Sequence, residues 1–334
     1  MTNVFLDNLT SPPLLFFFLG VLAVVVRSDL DIPGQIARFM SLYLLFAIGF
    51  KGGVALSDSD LGAEVWLSLG AAVLLSAVVP LYSFLILRRR LSLADAAATA
   101  ATYGSVSAVT FITATSYLTL QEEPWNGHMV AAMALMESPA IILGLLLYKR
   151  YREVDGQSGK AHGWGELLRE ACLNGSVFLI MGSMLIGWVT GEAGMQQLAP
   201  VVSDLFLGIL CLFLLDMGIV AARRLRDLGR SGDNRGGAAP LGYMVAMALV
   251  FPVINATVSL LLGSLLGLTV GDLVLLTVLA ASASYIAVPA AMRLALPEAS
   301  PSVYLPMSLA ITFPFNLLVG IPLYHQVAQY LVTA

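Results

Sequence analysis

The chain has 334 residues, of which 58% are hydrophobic and 11% charged, with a formal net charge of −4. Its mean hydropathy is +0.87. A soluble domain averages about 25% charged residues, so this composition excludes a soluble globular protein and reads as an integral membrane protein. Two cysteines, Cys172 and Cys211, and three scattered histidines, His128, His162 and His325, form neither a disulfide framework nor a zinc-ligand spacing. No basic flank precedes Pro12, so no cleaved signal peptide is expected. No nucleic-acid partner and no cofactor beyond a coupling ion are expected.

In chain order the apolar pattern predicts ten spans: 12–26, 34–56, 63–87, 93–120, 127–148, 171–190, 198–222, 241–268, 271–296 and 302–332. Polar links run over 149–169 and 223–239. Of the 17 basic residues, 16 fall on one side of this scheme: Arg27, Arg38, Arg88 to Arg90, the 149–169 and 223–239 links, and Arg293. Asp7, Asp58, Asp60, Glu64, Glu122, Glu123 and Glu192 fall on the other. The positive-inside rule then puts the basic links in the cytoplasm and both termini outside. Lys51 is the one exception, at the outer end of the second span, where snorkelling is expected.

Two spans carry residues that a lipid-facing helix does not need. The ninth contains Ser282, Ser284, Tyr285 and Pro289, and the fourth contains Gly104, Ser105 and Ser107. Each reads as a helix interrupted at bilayer depth, which is tolerated only where protein or a cavity surrounds it. A shift of 177 residues superimposes Asp95 on Asp272, Ser105 on Ser282 and Ser107 on Ser284. Each serine pair begins ten residues after its aspartate, a rise of about 15 Å and half of a core about 30 Å thick. At a second offset, Phe46, Ala55, Asp60 and Leu61 match Phe213, Ala222, Asp227 and Leu228. The expected fold is all-α, with ten transmembrane helices in two inverted five-helix repeats and helices four and nine crossing near the midplane. The repeats are 1–150 and 171–334, joined by a cytoplasmic link at 151–170.

The second half of each broken helix presents free N–H groups at the positive end of its dipole, a natural seat for a small anion. The hydroxyls of Ser105, Ser107, Ser282 and Ser284 can also share a cation with freed carbonyls. The plainer alternative has these serines bonding back into their helices or joining two helices. Glu137, in Met-Glu-Ser-Pro-Ala, costs at least about 2.5–3.5 kcal/mol to place mid-membrane. It therefore faces a cavity or a partner, or stays neutral against backbone freed by Pro139. Asp216 is expected to snorkel or to pair with Arg223 or Arg224, and Asn255 and Asn316 to satisfy broken backbone.

These residues resemble the SbtA-type sodium-dependent bicarbonate transporters. The likeness is clearest at Gly49-Phe50-Lys51-Gly52-Gly53-Val54-Ala55, Gly104-Ser105-Val106-Ser107, Glu137-Ser138-Pro139-Ala140, and from Ala280 to Pro322. The resemblance implies core and gate domains, each built from both repeats, and a homotrimer in the cell (inner) membrane with a possible PII-like regulator on the cytoplasmic face. It also implies bicarbonate held with sodium between the interrupted helices. Carried over by position, Gly104, Ser105, Val106, Ser107, Ala283, Ser284 and Tyr285 hold substrate. Ser105, Ser107, Glu137 and Ser282 are the sodium candidates. The chain departs from cyanobacterial members at Tyr285 (acidic there), at Glu137 (Asp there) and over Ile311–Asn316 (a run of small residues there). Loss of the acidic ligand predicts fewer sodium ions. The expected function is sodium-coupled uptake of bicarbonate by alternating access.

Three other readings were weighed on the residues. Tyr285 and Phe313 suit a small organic carboxylate, coupled to sodium or protons; the bile-acid transporter type also interrupts its fourth and ninth spans. A sensor or scaffold would bind ligand without flux. An intramembrane enzyme would need a paired Asp motif, a Ser–His pair or His-Glu-x-x-His, and the sequence has none.

Overall fold

The computed structural model describes residues 10–57, 62–154, 175–231 and 241–333. Asp7, Asp58, Asp60, Lys160, His162, Trp164, Arg169, Cys172 and Arg235 lie outside them, as does all but the start of the 151–170 link. The described residues are helical, without a strand. We number the helices α1 (Pro12–Val25), α2 (Gly34–Ser57), α3 (Ala63–Leu87), α4 (Leu93–Gly104), α5 (Ala108–Leu120) and α6 (His128–Val154). There follow α7 (Gly175–Ala199), α8 (Phe206–Ser231), α9 (Leu241–Leu265), α10 (Val270–Ala281), α11 (Ala287–Ala295) and α12 (Pro301–Thr333).

Among the described residues, six helical stretches are long and apolar enough to cross a membrane, and α1 and α10 are shorter apolar helices. One of the six, Val177–Arg226, has 50 residues and would be about 75 Å long if straight, more than twice a hydrocarbon core. It does not run straight. Gly191 takes φ 53° and ψ −148°, and a π-type turn at Pro200–Asp204 precedes α8. The seventh span therefore begins at Phe206 rather than at Leu198, because Pro200 and the turn it opens stand between Leu198 and the start of α8.

Glycines set two close helix pairs. A Cβ on Gly53 of α2 would collide with the Met184 backbone of α7, and one on Gly187 of α7 with the Phe50 carbonyl. Gly49 meets Ile180 and Ser183 while Gly53 meets Met184 and Trp188, so α2 and α7 run in the same direction. Likewise α1 packs on α8, with Gly20 against Leu215 and Gly218 against Phe17. Further along both, Asp31 accepts from Arg223 Nη1 at 2.9 Å. These four helices form one group. In the other, α3 packs on α4 and α6, and α10 packs on α9 and α12. Every residue of α10 from Gly271 to Ala281 is buried.

Two sequence expectations are corrected here. Arg223 pairs with Asp31, not Asp216, and Asp216 is buried rather than snorkelling. Lys51 turns inward, its Nζ 4.6 Å from the centre of the Phe206 ring, because an aromatic face lies within reach.

Both interrupted helices start alike. Ser92 caps α4 by accepting from Asp95 N at 3.1 Å, and Thr269 caps α10 by accepting from Asp272 N at 3.5 Å. Each aspartate then reaches the foot of another helix. Asp95 Oδ1 accepts from Ser300 N at 2.7 Å, just before α12. Asp272 accepts from Asn126 N at 2.8 Å and Asn126 Nδ2 at 2.7 Å, just before α6.

Candidate functional site: the crossing of two broken helices

The sequence expectation that both helices break is met. Helix α4 stops at Gly104 and α5 starts at Ala108; α10 stops at Ala281 and α11 starts at Ala287. Gly104 is required where it stands, because a Cβ there would enter the Pro80 ring of α3. Between the helix halves the chain is extended: Ser105 has φ −90° and ψ −178°, and Ser282 has φ −80° and ψ 172°.

The two breaks bond to one another. Ser284 N donates to Thr102 O at 2.9 Å. Ser107 N donates to Ser282 Oγ at 2.9 Å, and Ser282 Oγ donates to Leu279 O at 2.9 Å. Leu279 is the 177-residue counterpart of Thr102. One cross-link is thus direct, and its counterpart passes through the hydroxyl of Ser282.

Ser107 is the N-cap of the second half α5, and Ser284 bonds to the first turn of α11. Ser107 Oγ accepts from Thr110 N at 3.2 Å and lies 2.9 Å from the Thr110 hydroxyl, which donates to it. Ser284 Oγ accepts from Val288 N at 3.3 Å. A hydroxyl that accepts still has its own proton to give. Pro289, in the first turn of α11, has no N–H to leave unsatisfied.

A cleft opens beside these serines, between the two helix groups. Val106, Ser107, Ser284 and Tyr285 line it, with Ala108 and Val109 from the start of α5 and Ala287 from the start of α11. Glu137 of α6 lines it too and is 6% exposed. Leu44, Leu45, Ile180 and Phe213, from the α1–α2–α7–α8 group, supply the apolar wall. Gly104, Ser105, Ser282 and Ala283 do not line the cleft; they lie behind it, buried. Tyr285 stacks edge-on to Phe313, ring centres 5.5 Å apart, and Phe313 continues to Phe17 of α1.

Asparagines close the end of α10. Asn255 Nδ2 donates to Ala280 O at 2.8 Å and Asn316 Nδ2 to Ala281 O at 2.9 Å. The hydroxyl of Tyr82 donates to Asn255 Oδ1, and that of Tyr324 to Asn316 Oδ1 at 2.9 Å. Tyr103 bonds to Thr312, which donates to Ala248 O. Sequence reasoning gave no role to Tyr82, Tyr324, Thr102 or Thr312. A hydroxyl or amide in an apolar run was the available signal, but it does not name its partner. Among the described residues, no three His, Cys, Asp or Glu side chains group to hold a metal ion, so any cation here uses hydroxyl, carbonyl or single carboxylate oxygens.

Long apolar helices, two of them broken and bonded to one another at their breaks, with a cleft of mixed polarity beside that crossing, are the features of a multi-pass membrane protein. The sequence model of one family, the Na+-dependent bicarbonate transporter superfamily, matches residues 12–329. The chain belongs to that superfamily; it is a membrane transporter and not an enzyme. No curated protein matches it.

Proposed function

We propose that this protein takes up bicarbonate together with sodium by alternating access, holding the anion between the first turns of α5 and α11. The observation that carries this reading is that Ser107, the N-cap of α5, and Ser284, which accepts from Val288 N in the first turn of α11, line one cleft. Two helix N-termini add N–H groups and the positive ends of their dipoles, which favour a compact anion. Val106 and Tyr285 complete the substrate set as wall of the cleft, and Ala283, behind it, supports Ser284. Gly104 sets the close packing that ends α4. The sodium candidates are Ser105, Ser107, Glu137 and Ser282.

The helix pairing supports two inverted five-span repeats. α1 with α8 pairs the first traverse with the seventh, and α2 with α7 pairs the second with the sixth. Exchange of the two repeats turns one pairing into the other, and each pair runs in a common direction. In this reading α1, α2, α7 and α8 form the gate, and the remaining helices form the core that moves against it. Both termini are extracytoplasmic, and the protein works as a homotrimer in the cell inner membrane with a PII-like regulator as a possible cytoplasmic partner.

Uptake of labelled bicarbonate into proteoliposomes, with and without an inward sodium gradient, tests the proposal. Sodium-dependent uptake that Ser284→Ala abolishes is the expected result. A second reading, transport of a small carboxylate, draws on one observation: the Tyr285–Phe313 pair makes one end of the site aromatic. Competition of bicarbonate uptake by short carboxylates separates the two. Ligand binding without flux would instead point to a sensor.

A further inference from the structure

Lys51 is a charged residue of the proposed gate with no place yet in the function. It lies in α2, six residues before the end of the helix, and is half-buried. A charge within a membrane helix is costly and marks a functional position. The ammonium has three N–H donors, yet among the described residues it makes no ion pair and donates no hydrogen bond. The Phe206 ring covers one side of it, and Asp204, in the turn before α8, is the carboxylate whose charge reaches it. The cleft fixes where this pair stands. Leu44 of α2 and Phe213 of α8 line the cleft. Lys51 and Phe206 are each seven residues further along the same helices, two turns or about 10 Å away on the same faces, and there they meet. On α6, Glu137 lines the cleft, and Val130, again seven residues away, lies against Gly52. A Cβ on Gly127 would collide with the Gly52 carbonyl. Lys51 thus stands over one closed end of the cleft, beside the seam where α2 meets α6. In the proposed orientation this is the extracytoplasmic end.

We infer that Lys51 is a recruiting station for the transported anion: when the α2–α6 seam parts, its ammonium draws a small monovalent anion towards the cleft, ahead of the first turns of α5 and α11. The inference rests on the proposed anion transport and adds to it a residue of the gate. A cation walled by apolar surface raises the local anion concentration and the on-rate, and the effect fades as salt rises. Phe206 holds the ammonium by its ring face without occupying any of its donors. Asp204 makes no ion pair with it, so that carboxylate tempers the field and leaves the ammonium open to an anion.

The test is initial uptake of labelled bicarbonate by the full-length protein in proteoliposomes at fixed sodium. Ionic strength is varied between about 0.01 and 0.15 M, where the screening length falls from about 30 to about 8 Å. In wild type kcat/KM is expected to fall as ionic strength rises. Lys51→Gln is expected to lower kcat/KM about tenfold at low salt, through KM with kcat kept, and to leave no salt dependence. Lys51→Arg is expected to restore the wild-type profile. Phe206→Leu, which removes the ring and keeps the charge, is expected to retain the salt dependence. Salt-independent uptake in wild type, a Lys51→Gln profile that still falls with salt, or equal losses in Phe206→Leu and Lys51→Gln would overturn the inference; the last result would make the Lys51–Phe206 contact structural. If wild type takes up no bicarbonate, the proposed cargo fails, and the same series with labelled acetate decides the role of Lys51. Uptake of neither anion overturns both.

Discussion

The backbone N–H of Ser284 reaches across to the carbonyl oxygen of Thr102 at 2.9 Å, so the break in α10–α11 terminates the helix of the other break. The reverse link, from Ser107 N towards Leu279 O, is longer by one hydroxyl, that of Ser282. Serines at matching positions therefore do unlike jobs, which substitution can separate.

Ser282→Ala removes the hydroxyl that Ser107 N and Leu279 O share and leaves both groups buried. An orphaned buried polar group costs about 1–3 kcal/mol. Ser282→Ala is expected to melt below wild type, and Ser105→Ala, which loses no protein hydrogen bond, is expected to melt with it in sodium-free buffer. Thermal unfolding in detergent compares them; equal destabilisation of the two would contradict the asymmetry.

Ser107→Ala removes the N-cap of α5, worth about 0.5–2 kcal/mol, Ser284→Ala removes the acceptor of Val288 N, and under the proposed function each removes a hydroxyl donor to an anion. Hydrogen bonds to charged groups are worth about 1.5–3 kcal/mol, on the order of tenfold to a hundredfold in affinity. The expected outcome is a bicarbonate KM raised by that factor, read from initial uptake rates at saturating sodium.

Gly53→Ala drives a methyl group into the Met184 backbone of α7. Overpacking of this kind costs about 1–3 kcal/mol, and here the obstacle is main chain, which cannot rotate away. The variant is expected to show a lower melting temperature and reduced yield. Gly70→Ala, where a Cβ meets open space, should behave as wild type and serves as the control.

Asp272→Ala frees the N–H and amide of Asn126, and Asp95→Ala frees Ser300 N. Each aspartate ties the start of an interrupted traverse to the foot of another helix, so both variants are expected to lose stability. The loss should be greater at Asp272, which is buried and accepts both its bonds from Asn126, than at Asp95, which is half-buried and whose second bond comes from the neighbouring Ser92 hydroxyl. Paired melting curves check the order; a larger loss at Asp95 would contradict it.

Much of this was legible in the residues because the bilayer imposes strict rules. An apolar run of about 20 residues is a helix, and Gly104 with Ser105 and Ser107, or Ser282 with Ser284 and Pro289, marks where such a helix breaks. The starts of both interrupted helices could be read too, because Ser92 with Asp95 and Thr269 with Asp272 are local capping signals. The offset of 177 residues aligns the two breaks in the sequence itself. What the tertiary structure decided is partnership. Nothing local distinguishes Ser105 from Ser282, yet the Ser282 hydroxyl bridges two stretches of the chain and that of Ser105 has no protein partner. Lys51 looked like a snorkelling cation until Phe206 came within 4.6 Å, and Arg223 chose Asp31 over the nearer-in-sequence Asp216. Asn255 and Asn316 are dozens of residues apart but end on neighbouring carbonyls of α10. Helix formation and helix breaking are governed by hydrogen bonds a few residues long, so they show in the chain itself. The choice of which buried donor meets which buried acceptor depends on how helices far apart in sequence pack, and only the assembled fold makes it.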